Sequence, residues 1–128
     1  MENRNKLSIK DLKHYFIANG KRVCAIEDVF LEVKENEFLV LLGPGQCGKT
    51  VLLNLIAGLL EPTIGKIFID GEQVQGTDKR IAMVFQQHSV FPWKTVMGNV
   101  EIGLKYAGVP KEERQERAQH FIDLVGLK

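Results

Sequence analysis

Gly43-Pro44-Gly45-Gln46-Cys47-Gly48-Lys49-Thr50 decides the reading of this chain. The stretch fits G-x-x-x-x-G-K-[ST], a loop built to cradle nucleotide phosphates. Glycine at 43 and 48 lets the backbone turn tightly and approach an anion with no Cβ in the way. Successive backbone N–H groups can then converge on phosphate oxygens, and a following helix adds its positive dipole end. Lys49 supplies a point charge for the outer phosphates, and Thr50 a hydroxyl suited to Mg²⁺.

The flanks agree with that reading. Residues 37–42 (EFLVLL) are a nearly continuous apolar run, the pattern of a strand buried on both faces. Residues 51–60 (VLLNLIAGLL) have helical length and stop before Pro62. Strand, glycine loop and helix together form the context that the motif requires.

Composition narrows the rest. The chain has 128 residues, enough for one domain with a core of its own. Lys plus Arg number 17 against 16 Asp plus Glu, so no global field points to a nucleic-acid partner. The run at 51–60 is too short to span a bilayer, and the polar start MENRNK lacks the apolar core of a secretion signal. Two cysteines, Cys24 and Cys47, make neither a disulfide framework nor a metal-ligand cluster, which suits a reducing cytosol.

Further out, residues 7–12 alternate as a half-buried strand, and Asn19-Gly20 signals a hairpin turn into a strand at 22–26. Val29, Leu31 and Val33 continue the alternation, while Phe30 puts an aromatic on the polar side, either as a peripheral core contact or as cover for a partner. Residues 65–71 read as a strand closed by Asp70-Gly71, and 80–85 as a buried strand running into the polar loop 86–89. Val96, Val100, Leu104 and Ala107 have helical spacing, interrupted by glycines. Pro110 opens a last helix with an apolar stripe of Ala118, Phe121, Ile122 and Val125, and Gly126 caps it.

Taken together, the chain resembles the ATP-binding cassette (ABC) family, the ATPase subunits of ABC transporters. The landmarks stand in family order: 25–29 and 33–38 before the loop, 52–59 as the first helix, Thr63, Gly65 and Gly71 in a hairpin, then Met83-Val84-Phe85-Gln86. Residues 91–96 (FPWKTV), with Asn99-Val100, are similar to importer subunits for nitrate, sulfonate, taurine or bicarbonate. The resemblance implies an α/β fold of the P-loop NTPase class. It would be the N-terminal portion of a cassette, an antiparallel β subdomain plus the start of a parallel RecA-like core, with 1–128 as a partial ATP-binding domain. A small GTPase or nucleotide kinase shares the loop but explains neither the antiparallel strands before it nor the Phe-Gln loop after it.

By the same resemblance, the nucleotide site would comprise Phe16, Gly43, Pro44, Gly45, Gln46, Cys47, Gly48, Lys49, Thr50 and Val51, with ATP and Mg²⁺ as cofactors. Thr50 and Gln86 would serve the metal, Gln86 also reaching toward the attacking water; an ordinary polar loop residue is the alternative. Phe16 would stack on adenine, with Tyr15 as the fallback, or else be a core aromatic. Partners would be a second cassette and a transmembrane permease, met through 87–106 with Phe91, Pro92 and Trp93 either as anchors or as a cap over the core. The implied location is cytoplasmic, on the inner face of the cell membrane.

The chain departs from the family in three places. Gly45-Gln46 stands where Ser-Gly is usual, Val51 where a second hydroxyl is usual, and Asn36 where a turn glycine is usual. Gln46 would be strained at positive φ unless Gly45 absorbs that geometry. The Leu-Ser-Gly-Gly-Gln signature, the acidic Walker B strand with its catalytic Glu and the switch His do not occur in the sequence. His14, His88 and His120 lie upstream of the switch position and read as surface or loop residues. No residue here is therefore expected to be catalytic, Gln86 aside, because phosphoryl transfer needs several such parts together. The implied function is the N-terminal part of an importer's ATP-binding subunit, coupling ATP binding and hydrolysis to transport in the complete protein. The alternative is a non-catalytic or non-functional truncated cassette.

Overall fold

The computed structural model describes residues 4–87 and 89–127. The contacts divide into two compact units, 1–83 and 84–128. The first is built on an antiparallel sheet in the order β2-β1-β3-β4. β1 (Asn5–Ala18) and β2 (Lys21–Lys34) form a long hairpin, turned at Asn19 (φ 52°) and Gly20 (φ 74°). Positive φ at both central residues is what a two-residue turn demands when its twist must match the strands. β3 (Ile64–Ile69) pairs with the other edge of β1, and the Asp70-Gly71 turn leads to the short β4 (Glu72–Gln73).

The sequence pattern suggests separate strands at 22–26 and 29–33, but β2 runs through both. The interruption is instead a bend. Asp11 (φ 47°) and Asp28 (φ 51°) adopt left-handed backbone, and the β1–β2 register shifts between Ile9 and His14. Such irregularities bend and twist a strand without ending it. Lys13 stabilises the bend, its ammonium 2.6 Å from the Asp28 carboxylate.

α1 (Lys49–Ile56) lays Leu52 and Leu55 against Ile9, Leu12, Ile26 and Ile67 of the sheet, and these six make the core. Beyond β4, Arg80 binds Asp78 and Glu72, each at 2.7 Å, and donates to the Ile69 carbonyl at 3.2 Å. The Arg80 guanidinium holds the Asp78 carboxyl down at about 2.

Two stretches expected as buried strands are not strands. Residues 37–42 and 80–85 run as irregular chain, with Phe38, Leu42 and Val84 almost wholly exposed. An apolar run becomes a buried strand only between neighbours that take its N–H and C=O groups, and every strand pairing among the described residues is antiparallel and lies elsewhere.

The second unit packs α2 (Val96–Val100) and α3 (Ile102–Tyr106) against α4 (Lys111–Leu124). The glycine-interrupted helical spacing over 96–107 is realised as two short helices, broken at Glu101, whose carboxylate accepts from Arg114 Nε at 2.8 Å. α4 starts after Pro110 as expected, and Gly126 (φ 73°) follows its end. Only half of its expected stripe is covered: Ala118 and Ile122 are buried, Phe121 and Val125 exposed. Phe30, on β2 of the first unit, is likewise exposed rather than a core contact. No helix among the described residues is long and apolar enough to cross a membrane.

Candidate nucleotide site

The glycine loop turns directly into α1. Gly48 is the residue before the helix, at φ 92° and ψ 0°, and no side chain caps the first turn. The opening N–H groups of a helix have no intrahelical partner, so they remain available to a ligand. Gly48 is required twice over. Its φ suits glycine, and a Cβ there would stand 2.5 Å from the Ala25 carbonyl oxygen and 3.0 Å from Ile26 Cδ1. The loop is therefore pressed against the backbone of β2.

That contact forms one side of a cavity of about 490 Å³ lined by Phe16, Val23, Cys24, Ala25, Gln46, Cys47, Gly48, Lys49, Thr50 and Val51. Phe16 comes from β1, where it pairs with Val23 across the hairpin. It is partly exposed and touches His14 edge-on, with ring centroids 4.6 Å apart. Tyr15 points elsewhere, its ring 6.0 Å from the Arg22 guanidinium carbon, and does not line the cavity. Of the two candidate aromatics, the fold brings Phe16 to the loop.

Lys49 folds back over its own loop. Its ammonium donates to the carbonyl oxygens of Gly43 at 2.8 Å and Pro44 at 2.7 Å, and lies 3.3 Å from Cys47 Sγ. These are acceptors that a cation keeps until a stronger anion arrives. Thr50 is exposed on the first turn and lines the cavity, so its hydroxyl oxygen is open to a hard cation. Gly43, Pro44 and Gly45 shape the loop without lining the cavity.

One expectation at the loop and one on β1 need correction. Gly45 does not take up the unusual geometry; Gln46 itself sits at φ 63°. The residue after it, Cys47, has to turn back toward Gly43, and the reversal falls on 46 rather than 45. Asn36, by contrast, adopts left-handed backbone (φ 62°) as its type allows. His14 is not a surface residue. It is 8% exposed, and neither ring nitrogen has a hydrogen-bond partner among the described residues. His120 is exposed, and His88 lies outside the described residues.

Gln86 belongs to the second unit, in a bend at 86–87, and is not part of the cavity lining. In that unit Phe91 and Trp93 are exposed with rings 5.5 Å apart. Asn99 holds their loop: its Oδ1 accepts from Phe91 N at 2.7 Å, and its Nδ2 donates to the carbonyls of Phe91 and Thr95. Motif reading missed Val23, Cys24 and Ala25 as lining residues. No local pattern marks them; only the long β2 and the pressed-in Gly48 put them there.

A glycine loop opening a helix, set against an antiparallel sheet that carries an aromatic to the same cavity, defines a P-loop nucleotide-binding cassette. The chain belongs to the ABC transporter family, whose profile matches residues 26–128. It is 50% identical over 123 residues to an uncharacterized ABC transporter ATP-binding protein of Methanocaldococcus jannaschii, covering 96% of this chain and 46% of that protein. It is similar to the taurine import ATP-binding protein of Roseobacter denitrificans (43% over 123 residues; 95% and 46% covered). The nitrate import ATP-binding protein of a Synechocystis strain is 42% identical over 121 residues, with 94% and 46% covered. The fold matches a solved dimeric ATP-binding cassette bound to ADP and phosphate, with a TM-score of 0.83 and 29% identity over 95% of this chain and 58% of that one. The chain thus spans about half the length of the relatives it matches.

Proposed function

We propose that this chain binds Mg-ATP in the cavity between Phe16 and the first turn of α1, as the nucleotide-binding part of an ABC-type importer. The supporting observation is that two sequence-distant features, the aromatic at 16 and the loop residues 46–51, line one cavity. Adenine would lie on Phe16, the phosphates on the first-turn amides and Lys49, and Thr50 would hold Mg²⁺. The metal would neutralise phosphate charge; the chain's own residues bind and orient. Relatives named for taurine and nitrate import support a small anionic or zwitterionic solute in the complete transporter.

Gln86 would serve the metal or the attacking water, and the Phe91–Trp93 loop would meet a transmembrane permease at the inner face of the membrane. Trp93→Ala should weaken co-purification with a co-expressed permease, and full retention would count against that surface. A second cassette would complete the assembly, as the dimeric solved relative suggests.

Titration calorimetry of the purified chain with Mg-ATP tests the central reading. Saturable binding at millimolar ATP or below supports it; no saturable heat from a folded chain removes it. A phosphate-release assay on the same sample tests the second reading, a non-catalytic subunit, which measurable turnover would remove. The sequence lacks the signature, the Walker B acid and the switch His, so binding without turnover is the expected result.

A further inference from the structure

Both cysteines of the chain line the nucleotide cavity, Cys24 from β2 and Cys47 from the glycine loop. They are far apart in sequence, both free and both exposed. The structure shows why they share one rim. The loop presses on β2 where Gly48 meets Ala25, and each cysteine is the residue just before one of those two contact points. Alternation along β2 puts Cys24 on the same face as Ile26, the side chain that also meets Gly48.

Their surroundings differ. Cys47 Sγ receives a hydrogen bond from the Lys49 ammonium at 3.3 Å and lies against Gly43, 2.8 Å from where a Cβ on that residue would stand. Cys24 Sγ lies 3.6 Å from the Ile26 carbonyl oxygen, with the Glu27 carboxylate at 3.9 Å. Accessible sulfur beside a cation is the setting in which a cysteine attacks; sulfur beside an anion is not.

We propose that Cys24 and Cys47 are a reversible oxidation site, and that their disulfide closes the cavity to nucleotide. The oxidant is a peroxide. Cys47 sulfur attacks one peroxide oxygen, the O–O bond breaks, and Cys47 sulfenic acid forms with release of water. Cys24 sulfur then attacks the sulfenic sulfur, forming the S–S bond and expelling a second water. Two thiols and one hydrogen peroxide give one disulfide and two waters, and a dithiol reverses the change by exchange. The bridge would tie the loop to β2 across the rim and draw Cys47 away from Lys49. The effect on nucleotide rests on the binding proposed above; formation of the bridge does not.

The test treats the purified chain with stoichiometric hydrogen peroxide and maps its peptides by mass spectrometry without reduction. One peptide pair joined through residues 24 and 47, two mass units lighter than the free pair and lost on adding dithiothreitol, is the expected result. Separate sulfenic or sulfinic acids, or only intermolecular links, would overturn the pairing. A fluorescent ATP analogue reads the second part: oxidation should weaken its binding at least tenfold in the wild-type chain, with recovery on reduction. Cys24→Ser, compared with its own untreated sample, should show neither the cross-link nor a dithiol-reversible loss. If the joined peptide forms while analogue affinity stays the same, closure of the cavity is wrong. Should the reduced chain bind no analogue at all, the nucleotide assignment fails, and the peptide map still decides the pairing.

Discussion

The Lys49 ammonium sits 2.8 Å from the carbonyl oxygen of Gly43, six residues earlier in the same loop. The side chain expected to meet a ligand thus holds the loop curled in its place. On the proposed binding, a phosphate entering the cavity would exchange these carbonyl acceptors for a full negative charge, a trade that would favour binding.

Lys49→Ala removes that exchange. A hydrogen bond to a charged group contributes about 1.5–3 kcal/mol, so Mg-ATP affinity should fall roughly tenfold to a hundredfold in calorimetric titration. Circular dichroism should match the parent, because Lys49 is not in the core. Unchanged affinity would show that phosphates bind elsewhere.

Gly58 should tolerate no side chain. It follows the last turn of α1 at φ 70°, and a Cβ there would stand 1.8 Å from the carbonyl oxygen of Gly76. Gly58→Ala combines left-handed strain of about 1–2 kcal/mol with a backbone clash of similar size. Gly20→Ala, at similar φ but in open space, should cost only the strain, about 1–2 kcal/mol. Urea unfolding of the two variants checks the difference; equal losses would mean that 58 and 76 are not in contact.

Acid should loosen the end of the β3–β4 hairpin. The Asp78 carboxyl lies at about 2 in the fold against an ordinary 3.8, held down first by side-chain hydrogen bonds from Arg80 and then by its backbone N–H. A carboxyl depressed by folding stabilises in its ionised form. Its contribution is complete above about pH 4 and disappears as pH falls from there through about 2. Asp70 is shifted the same way, chiefly by its bond to Lys6. Thermal melts between pH 2 and 6 should show a smaller acid loss for Asp78→Asn than for wild type. Parallel curves would discount the pair, whose partners are both partly solvated.

His14 should be replaceable at a gain. Its ring is buried with both nitrogens unpaired among the described residues, and an unsatisfied buried polar group costs about 1–3 kcal/mol. His14→Phe keeps a ring against Phe16 and removes the polar atoms. Denaturant midpoints should rise; a fall would point to a bound water that pairs the imidazole.

The parts legible in the sequence were those in which local geometry allows few residue types. Asn19-Gly20 and Asp70-Gly71 marked their turns because both central residues need positive φ. The glycine loop's turn into α1 was legible for the same reason, since it needs Gly48 at positive φ. Long-range features were not. The runs at 37–42 and 80–85 signal burial but say nothing of what lies against them, and the fold leaves them unpaired. The bends at Asp11 and Asp28 merged two expected strands into one, a result of hairpin register rather than propensity. Polarity placed His14 at the surface, although it stands opposite the core residue Ile26 on the neighbouring strand. At the cavity, the motif marked the lining residues 46–50 in advance, while Cys24 and its neighbours became visible only through the contact of Gly48 with β2.

The approach to the glycine loop has a thermodynamic consequence. Among the described residues, the backbone of 38–42 makes no hydrogen bond, and Phe38 and Leu42 have almost no cover. Whatever grips residues 43–48 must also fix this unbraced lead-in, and that ordering subtracts from the grip. An adjacent strand zipped along 37–42 would meet the cost beforehand. An affinity measured on this polypeptide therefore reports the ordering of 37–42 together with the strength of the cradle.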